Sequence, residues 1–327
     1  MQKSEIQIVW FKRDLRTIDH KPLFEASKTL KPILPIYVVE NEYWKQPFSN
    51  KRHWCFIYDS LIELRKELKK LGQSLIVRIG SVTDIFNELS TQFNIISIYA
   101  HEETGNQWTY DRDLNVKKWS NEKNIPLIEY PTNGIVRNLK NRDDWSKIRN
   151  LRMKENLIPK PISLMSIDEI LKGSIPKKNS PIFKNDFIGE VQKGGRSEAL
   201  KIIKSFMKDR GQNYLFNISK PGISEKTCSR ISPHLTWGTI SSKEIIKLLN
   251  LNKTNSQQNK STISNRNLNA IKSRLSWRCH FIQKLESQPS IETSCMHPFY
   301  DKLRKGNMNI NYYKAWKEGL TGYPFID

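Results

Sequence analysis

The sequence predicts an α/β protein in which a doubly wound parallel sheet is followed by an all-α region. Two patterns indicate this fold: short β-branched runs alternate with segments of helical period up to about residue 131, and helical periodicity alone follows. The length of 327 residues is typical of two domains. We therefore expect an α/β domain over residues 1–131, a connector over residues 132–195 and a helical domain over residues 196–327.

Short strand-like segments define the predicted sheet. Five runs have the length and β-branched composition of buried strands. They are residues 6–10, 33–39, 74–79, 95–99 and 127–130. Because such sheets bind ligands at the carboxyl ends of their strands, we expect a binding site along that edge. Neither GxGxxG nor GxxxxGK[ST] occurs, so a dinucleotide fingerprint and a P-loop are not indicated.

The helix with the clearest pattern is predicted over residues 54–71, where apolar residues recur along one stripe and Gly72 is suited to end the helix. Further helices are predicted from about Ser197, over residues 241–249 and over residues 267–286. The polar, low-complexity residues between the last two helices, 250–266, are predicted to form a flexible loop.

The positive charge is concentrated in the second part of the chain. The net charge is +21, yet residues 1–130 hold 19 basic and 17 acidic side chains, so nearly all of the excess follows residue 130. A localised basic surface favours a polyanionic partner such as nucleic acid, because each neutralised phosphate releases counterions. A compositional bias toward Lys, Asn and Ile explains the charge equally well, and both interpretations stay open at this point.

The cysteines and the absence of long apolar segments indicate the cellular compartment in which we expect the protein. Cys55, Cys228, Cys279 and Cys295 include no CxxC pair and are too sparse for a disulfide scaffold. No apolar run nears the roughly 18 residues of a membrane span, and the first residues lack an apolar signal region. The histidines have no metal-ligand spacing. We expect a cytoplasmic protein with reduced thiols, no membrane partner and no metal site.

Two polar segments are candidate binding sites. Hydroxyl groups and a guanidinium within Cys228–Ser232 could hold a phosphate, although a helix cap would use the same residue types. Farther along, Arg274, Trp277, Arg278 and Phe281 share one face of a predicted helix. A ring with flanking arginines suits base stacking with phosphate contact, and an apolar face from which the arginines extend to solvent is the alternative.

Motifs spread over the whole chain resemble those of the cryptochrome/DNA photolyase family. Residues 8–16 (IVWFKRDLR) are similar to the family's first strand and its xWFRRDLR signature. Gly194-Gly195 at the head of a helix, residues 228–235 (CSRISPHL), Trp277-Arg278 and residues 315–327 (AWKEGLTGYPFID) follow in the family's order. On this order of motifs, the chain is identified as a member of the family.

The resemblance implies an α/β antenna domain joined to a helical FAD-binding domain. In such proteins light drives electron transfer from reduced flavin to a pyrimidine dimer in DNA, which may be single- or double-stranded. The residues that the motifs assign to the phosphates and ribitol of FAD are Tyr214, Cys228, Ser229, Arg230, Ile231, Ser232 and Arg278. The residues assigned to DNA are Arg274 and Trp277. An antenna chromophore, a folate or a deazaflavin, would bind near Lys12, Glu102 and Glu103.

Three positions depart from the family's pattern. Cys228 stands where Thr is common, Arg274 where photolyases carry a Glu that contacts lesion and flavin, and Gly306 where the outermost electron-relay Trp is expected. These departures favour a cryptochrome-type blue-light photosensor as an alternative to a photolyase. A third interpretation is an inactive remnant that binds nucleic acid through its basic part.

The family's sequences continue for well over a hundred residues after the motif at 315–327. By resemblance, the contacts to the flavin ring and the remaining relay residues would lie beyond Asp327, so no catalytic residue is assigned. We therefore expect a C-terminally truncated member with the first part of an FAD-binding domain. It would bind FAD weakly unless a second polypeptide completed the domain.

Overall fold

The computed structural model describes residues 3–167, 170–183, 189–256, 263–303 and 306–327, with the side chains of residues 252–256 outside the description. The chain folds into two compact units, Met1–Ser287 and Gln288–Asp327. Within the described ranges, every helix falls short of the length and apolarity that a membrane span requires.

The first unit contains the predicted parallel sheet. Its strands are β1 (Glu5–Phe11), β2 (Ile33–Val39), β3 (Ile76–Ile79), β4 (Asn94–His101) and β5 (Leu127–Tyr130). They lie in the order β3-β2-β1-β4-β5, and all neighbouring pairs are parallel. The chain therefore winds outward from β1 in both directions, which confirms the doubly wound prediction. Such a reversal leaves a crevice at the carboxyl end of β1.

Helices on both faces of the sheet bury its alternating side chains. They are α1 (Lys21–Lys28), α2 (Asn41–Lys45), α3 (Lys51–Lys70), α4 (Val82–Gln92) and α5 (Gln107–Glu122). Successive residues of β1 point to opposite faces, so Val9 packs with Trp54 of α3 while Ile8 packs with Phe86 of α4. Residues 54–70 of the predicted helix over 54–71 lie in α3, Leu71 is its C-cap, and Gly72 follows with a positive φ (+108°), which suits its predicted place at the end of the helix.

The segment predicted as a connector, residues 132–195, packs against the α/β core. It contains one helix that the sequence did not indicate, α6 (Trp145–Lys154). Leu164 and Phe183 are buried in the cluster around α3, and the indole N–H of Trp54 donates to the carbonyl of Pro176 at 3.1 Å. The predicted boundaries at residues 131 and 195 stay predictions.

Helices after residue 195 surround a separate apolar cluster of the first unit. They are α7 (Arg196–Ser205), which continues as a π-helical turn (Phe206–Arg210), α8 (Tyr214–Asn217), α9 (Ser224–Thr227), α10 (Ser232–Thr236), α11 (Ser242–Ser256) and α12 (Asn265–Ser287). The cluster includes Ile203, Phe206, Leu249 and Leu275. The helices predicted near Ser197, at 241–249 and at 267–286 are confirmed.

The predicted loop over residues 250–266 is wrong at both ends. Residues 250–256 continue α11, and α12 begins at Asn265. Helical hydrogen bonds tolerate the polar Asn, Lys and Thr residues that suggested a loop, because helix propensity differs among them by only a few tenths of a kcal/mol. Residues 257–262 of the predicted loop lie outside the described residues.

The second unit consists of two 3₁₀ turns (Pro289–Glu292 and Pro298–Lys302) and α13 (Ile310–Glu318). Gly319 ends α13 in the left-handed conformation, and the Asp327 carboxylate accepts hydrogen bonds from the backbone N–H groups of Thr321 and Gly322 at 2.8 and 2.9 Å. Large apolar side chains of this unit are exposed, among them Phe299, Trp316 and Phe325. The unit therefore has ordered turns but almost no apolar core.

Candidate functional site

A cavity of about 460 Å³ lies at the predicted ligand-binding edge of the sheet. Residues 12–14, directly after β1, and residues 101–103, at the end of β4, form one side of it. Trp237 and Arg278, from the helical part of the first unit, also line it. The cavity therefore includes Lys12, Glu102 and Glu103, the residues near which the antenna chromophore was expected.

A network of buried charges lies beside this cavity. The guanidinium of Arg112 contacts carboxylate oxygens of Glu40, Glu103 and Asp113 at 3.0, 2.5 and 2.7 Å. Lys12 Nζ lies 2.7 Å from Asp113. Burial opposes the charge of Arg112, but the three carboxylates outweigh it and raise the pKa of the guanidinium well above its usual value. Burial raises the pKa of Glu40 to about 7, although Arg112 acts in the other direction.

Asp14, which lines the cavity, is flanked by two buried imidazoles. Its Oδ2 lies 2.7 Å from His101 Nδ1 and 3.0 Å from His20 Nε2. These three groups are close enough together to consider a metal ion. However, His20 Nδ1 accepts the backbone N–H of Leu23 at 3.1 Å, which assigns the proton to Nε2 and leaves that atom no lone pair for a metal. We interpret the cluster as a buried carboxylate that is hydrogen-bonded to His101 and lies beside the imidazole of His20.

Buried histidines make the stability of the fold sensitive to acid. Burial lowers the pKa of His101 to about 3 and that of His234 to about 4. Between pH 6.5 and 4 both therefore bind a proton when unfolded but not when folded. Stability should fall as the pH falls through this range, by about 1.4 kcal/mol per pH unit for each histidine.

Urea unfolding at a series of pH values measures this loss. His234→Gln should remove part of the pH dependence, because His234 is one of three buried histidines whose pKa burial lowers, with His20 and His101, and Lys118→Gln, at an exposed position, should leave it unchanged. A slope that His234→Gln does not alter would contradict the assignment.

The Cys228–Ser232 segment presents an unusual set of backbone donors. The N–H groups of Ser229, Arg230, Ile231 and Ser232 have no acceptor among the residues that the structure describes. Arg230 is left-handed (φ +58°) and Ile231 right-handed (φ −89°), a succession that turns neighbouring N–H groups toward one side. Together with the two serine hydroxyls, these donors fit the oxygens of a phosphate.

Arginines surround this segment. Arg210, from the π-helical turn, donates to the carbonyls of Cys228 and Ile202, which fixes the segment against α7. Burial, and next the charge of Arg230, lower the pKa of Arg210. Tyr214 is buried beside Cys228, and burial raises the pKa of its hydroxyl while nearby Arg274 lowers it.

The structure separates the two arginines of the predicted site on α12. Arg274 is exposed and lies near Tyr214 of α8. Arg278 is partly buried, lines the cavity of about 460 Å³ and donates to the carbonyl of Leu235 at 3.1 Å. Arg278 therefore contacts the C-terminal end of α10, whereas the N–H groups that could bind a phosphate lie at the N-terminal end of that helix.

Trp277 lies on an exposed aromatic surface of α12. Its side chain is 51% exposed, and its ring centroid is 5.7 Å from that of Phe281 and 6.0 Å from that of His280. Arg142 donates to the carbonyl of His280 at 3.2 Å, which adds a positive charge to this surface. The contact of Trp277 with DNA stays a prediction. The exposure of its ring leaves room for such a contact.

Several residues of these sites were not singled out in the sequence. Glu40 and His101 stand directly after, or at the end of, strands β2 and β4, so their position at the ligand-binding edge was available as a signal. Arg112 lies on α5 and Arg210 eighteen positions before Cys228, and no motif links either one to its partners. Only the folded chain brings these guanidinium groups to their sites.

Comparison with known proteins links both parts of the chain to one family. A family model described as DNA photolyase matches residues 7–144, and one described as FAD binding domain of DNA photolyase matches residues 271–327. The deoxyribodipyrimidine photo-lyase of Buchnera aphidicola is 27% identical over 348 residues, which cover 100% of this chain and 68% of the relative.

Solved structures share the fold. A cryptochrome of Synechocystis superposes with a TM-score of 0.82 at 20% identity, covering 100% of this chain and 70% of the other. An archaeal photolyase of Sulfolobus tokodaii, described as having two FAD molecules and a novel light-harvesting cofactor, superposes with a TM-score of 0.74 at 24% identity, covering 98% and 68%. The chain thus spans about two thirds of the length of these proteins.

Proposed function

Because the chain belongs to the cryptochrome/DNA photolyase family, we propose that it binds FAD at the Cys228–Ser232 segment and acts as a light-driven photolyase on pyrimidine dimers in DNA. The observation that carries this proposal is the row of four N–H groups at Ser229–Ser232, which find no acceptor in the described part of the chain, with the guanidinium groups of Arg210 and Arg230 beside them. A reduced flavin supplies the electron that light transfers to the dimer.

The residues present fit the phosphate part of FAD. Ser229 and Ser232 offer hydroxyl groups beside the backbone N–H groups, and Arg230 adds a guanidinium. Arg210 holds the segment in place by donating a hydrogen bond to the carbonyl oxygen of Cys228. Tyr214 of α8 lies between the segment and α12. These residues would bind and orient the diphosphate, which needs only hydrogen-bond donors and positive charge.

Trp277 is proposed to stack against a base or dimer taken out of the DNA helix. An aromatic face is the usual partner of an extruded base, and stacking contributes about 1–3 kcal/mol per base. The exposure of Trp277 beside Phe281, with the charge of Arg142 nearby, supports this role. The excess of basic residues after position 130 supports a DNA partner as well.

The cavity of about 460 Å³ is proposed to hold an antenna chromophore, either a folate or a deazaflavin. It is lined by aromatic side chains and by the carboxylate of Glu102, whose pKa burial raises. A carboxylate at such a cavity wall can accept hydrogen bonds from the ring N–H groups of either chromophore, so the two are not distinguished.

The exposed side chains of residues 288–327 suggest that further polypeptide, continuous with this chain or separate, covers them. Phe299, Trp316 and Phe325 are 73%, 62% and 83% exposed, more than a stable surface of this size usually leaves to water. We propose that this cover completes the FAD-binding domain, and that the protein acts in the cytoplasm, where its four cysteines stay reduced.

The 327-residue chain alone should therefore bind FAD weakly but specifically. Ser229→Asp, which places a negative charge among the phosphate donors, should weaken binding at least tenfold. Thr91→Asp, at an exposed position of α4, should not. Equilibrium titration followed by flavin fluorescence measures both. Stoichiometric, tightly held FAD would refute the proposed need for a cover, and equal affinity of the Ser229→Asp variant would refute the binding segment.

An assay of dimer repair under blue light distinguishes the proposed photolyase activity from the photosensor alternative. Arg274 and Gly306, in place of the Glu and the relay Trp of the family, favour a cryptochrome-type photosensor as the second candidate. Repair of a dimer-containing oligonucleotide at saturating reduced FAD supports the photolyase. Light-dependent flavin reduction without repair supports the photosensor, and steeply salt-dependent DNA binding without FAD binding supports a nucleic-acid-binding remnant.

A further inference from the structure

His280 is held at a fixed position within the exposed aromatic surface of α12. Its ring centroid lies 6.0 Å from those of Trp277 and Trp145 and 5.5 Å from that of Phe281. Trp145 is buried, and its indole N–H donates to the carbonyl of Gly134 at 2.9 Å. The imidazole of His280 therefore lies beside a fixed, buried indole and beside the exposed ring that is proposed to stack on DNA.

Arg142 determines which nitrogen of His280 carries the proton. Arg142 Nη2 lies 3.2 Å from His280 Nδ1 and 3.2 Å from the carbonyl oxygen of the same residue. A guanidinium can only donate, so Nδ1 is the acceptor and the proton of the neutral ring lies on Nε2. The turn that carries Arg142 is itself closed, because the backbone N–H of Trp145 donates to the Arg142 carbonyl at 3.1 Å.

The Nε2–H group of His280 is a donor in a positively charged environment. No acceptor for it lies among the residues that the structure describes. Burial, and next the charges of Arg142 and Lys284, lower the pKa of His280, which favours the neutral ring at pH 7.5. A directed donor near two positive charges favours a negatively charged acceptor, and a DNA phosphate lies next to every base.

We propose that His280 Nε2–H donates a hydrogen bond to the DNA phosphate next to the base that stacks on Trp277, and that Arg142 is the positioning residue that keeps the imidazole in this tautomer. The proposal rests on the proposed function, because it takes DNA as the partner of this surface. A neutral imidazole, unlike a lysine or an arginine, releases no counterion from DNA, so its contribution to affinity should not change with salt. Trp277 would hold the ring of the nucleotide and His280 its backbone.

Three variants of His280 test the contact through the binding of single-stranded oligo(dT) at pH 7.5. His280→Phe keeps a ring without a donor, and His280→Asn places its amide at the position of Nδ1, so both should weaken binding about fivefold. His280→Gln places an amide N–H near the position of Nε2 and is the matched control, with an affinity within about twofold of wild type. Fluorescence anisotropy over a series of salt concentrations measures all four proteins. The slope of log affinity against log salt should be the same in each.

Oligo(dA) distinguishes a phosphate acceptor from an acceptor on a base. The two oligonucleotides share their phosphates and differ in their base edges, so the loss in His280→Phe should be equal for both. A loss confined to one of them would place the acceptor on a base and overturn the assignment to phosphate. A loss that changes with salt would show that His280 acts as a charge and would contradict the neutral donor.

The positioning role of Arg142 has its own readout in the imidazole ¹⁵N chemical shifts of the DNA-free protein. The signals of His280 are those that His280→Gln removes. In wild type they should be those of the Nε2–H tautomer, and Arg142→Met should give a mixture of tautomers with a raised pKa. A wild-type Nδ1–H tautomer, or shifts and a pKa that Arg142→Met leaves unchanged, would overturn this role.

The contact and the proposed function fail in different ways. Wild-type affinity of His280→Phe for both oligonucleotides would overturn the contact, and dimer repair by that variant would leave the photolyase activity standing. Oligonucleotide binding that depends on His280, in a protein that repairs no dimers, would support the contact and contradict the photolyase activity. A wild-type chain that binds neither oligonucleotide would overturn the contact whatever the result of the repair assay.

Discussion

Arg112→Gln should lower the free energy of unfolding by about 3–5 kcal/mol, because it leaves buried carboxylates without their counterion. Arg112 is the common partner of Glu40, Glu103 and Asp113, and all three lie in the interior of the α/β part. In the variant Lys12 still pairs with Asp113 and Arg13 with Glu103, but within the part of the chain that the structure describes Arg112 alone forms an ion pair with Glu40. Glutamine can donate hydrogen bonds but cannot neutralise this charge.

The pH dependence of the loss identifies its electrostatic origin. In the wild type, Arg112 and Arg13 together outweigh burial and lower the pKa of Glu103, so this residue contributes stability above pH 4.5 that is lost as the pH falls. In Arg112→Gln, Arg13 alone opposes burial at Glu103, so the pKa of Glu103 rises, and the pKa of Glu40, which burial already raises to about 7, rises further without Arg112. The folded variant then takes up a proton more readily than the unfolded chain, so the difference from wild type should shrink between pH 8 and 5.

Urea unfolding at the two pH values measures this difference. Lys118→Gln is the control, because Lys118 lies 4.0 Å from Glu122 with both side chains mostly exposed, and such pairs contribute at most about 0.5–1 kcal/mol. A loss below about 1 kcal/mol, or one of equal size at both pH values, would show that the network is not held by charge.

The fold of the α/β part was predictable because its signals are local. Each strand is a short β-branched run, and Gly72 marks the end of α3 through its own backbone preference. The packing of residues 132–195 was not predictable in the same way. Its contacts, such as Leu164 against α3, join residues about a hundred positions apart, and no local pattern encodes them.

The binding sites differ in the same way: residues that are consecutive in the sequence were predictable, and residues that only the fold brings together were not. The Cys228–Ser232 segment was recognisable because its donors are consecutive in the sequence. The neighbours of Arg274 and Arg278 were not, because residues four apart on a helix face similar directions, and only the packing of α8 and α10 places one beside Tyr214 and the other beside Leu235. Arg112 carried no signal at all, since its role depends on three carboxylates from different elements.

Gly194→Ala should lower the free energy of unfolding by about 3 kcal/mol and weaken the proposed FAD site with it. An alanine Cβ at this position would lie 1.9 Å from the carbonyl oxygen of Phe56 and 2.5 Å from Ser60 Oγ, so α3 and the start of α7 would have to separate. Overpacking of this kind usually costs about 1–3 kcal/mol, and contact with backbone favours the upper end.

The effect should reach the cofactor site through α7. Ser60 accepts the backbone N–H of Gly195 at 3.0 Å, and α7 ends in the π-helical turn whose Arg210 holds the carbonyl of Cys228. A displaced α7 would move that guanidinium away from the phosphate donors, so Gly194→Ala should also weaken FAD binding. Gly306→Ala is the control, because among the described residues, its own chain neighbours aside, nothing lies within 4 Å of the added methyl group. If Gly194→Ala unfolds like Gly306→Ala, α3 does not fix the position of α7, and the link from the sheet to the cofactor site must run through other contacts.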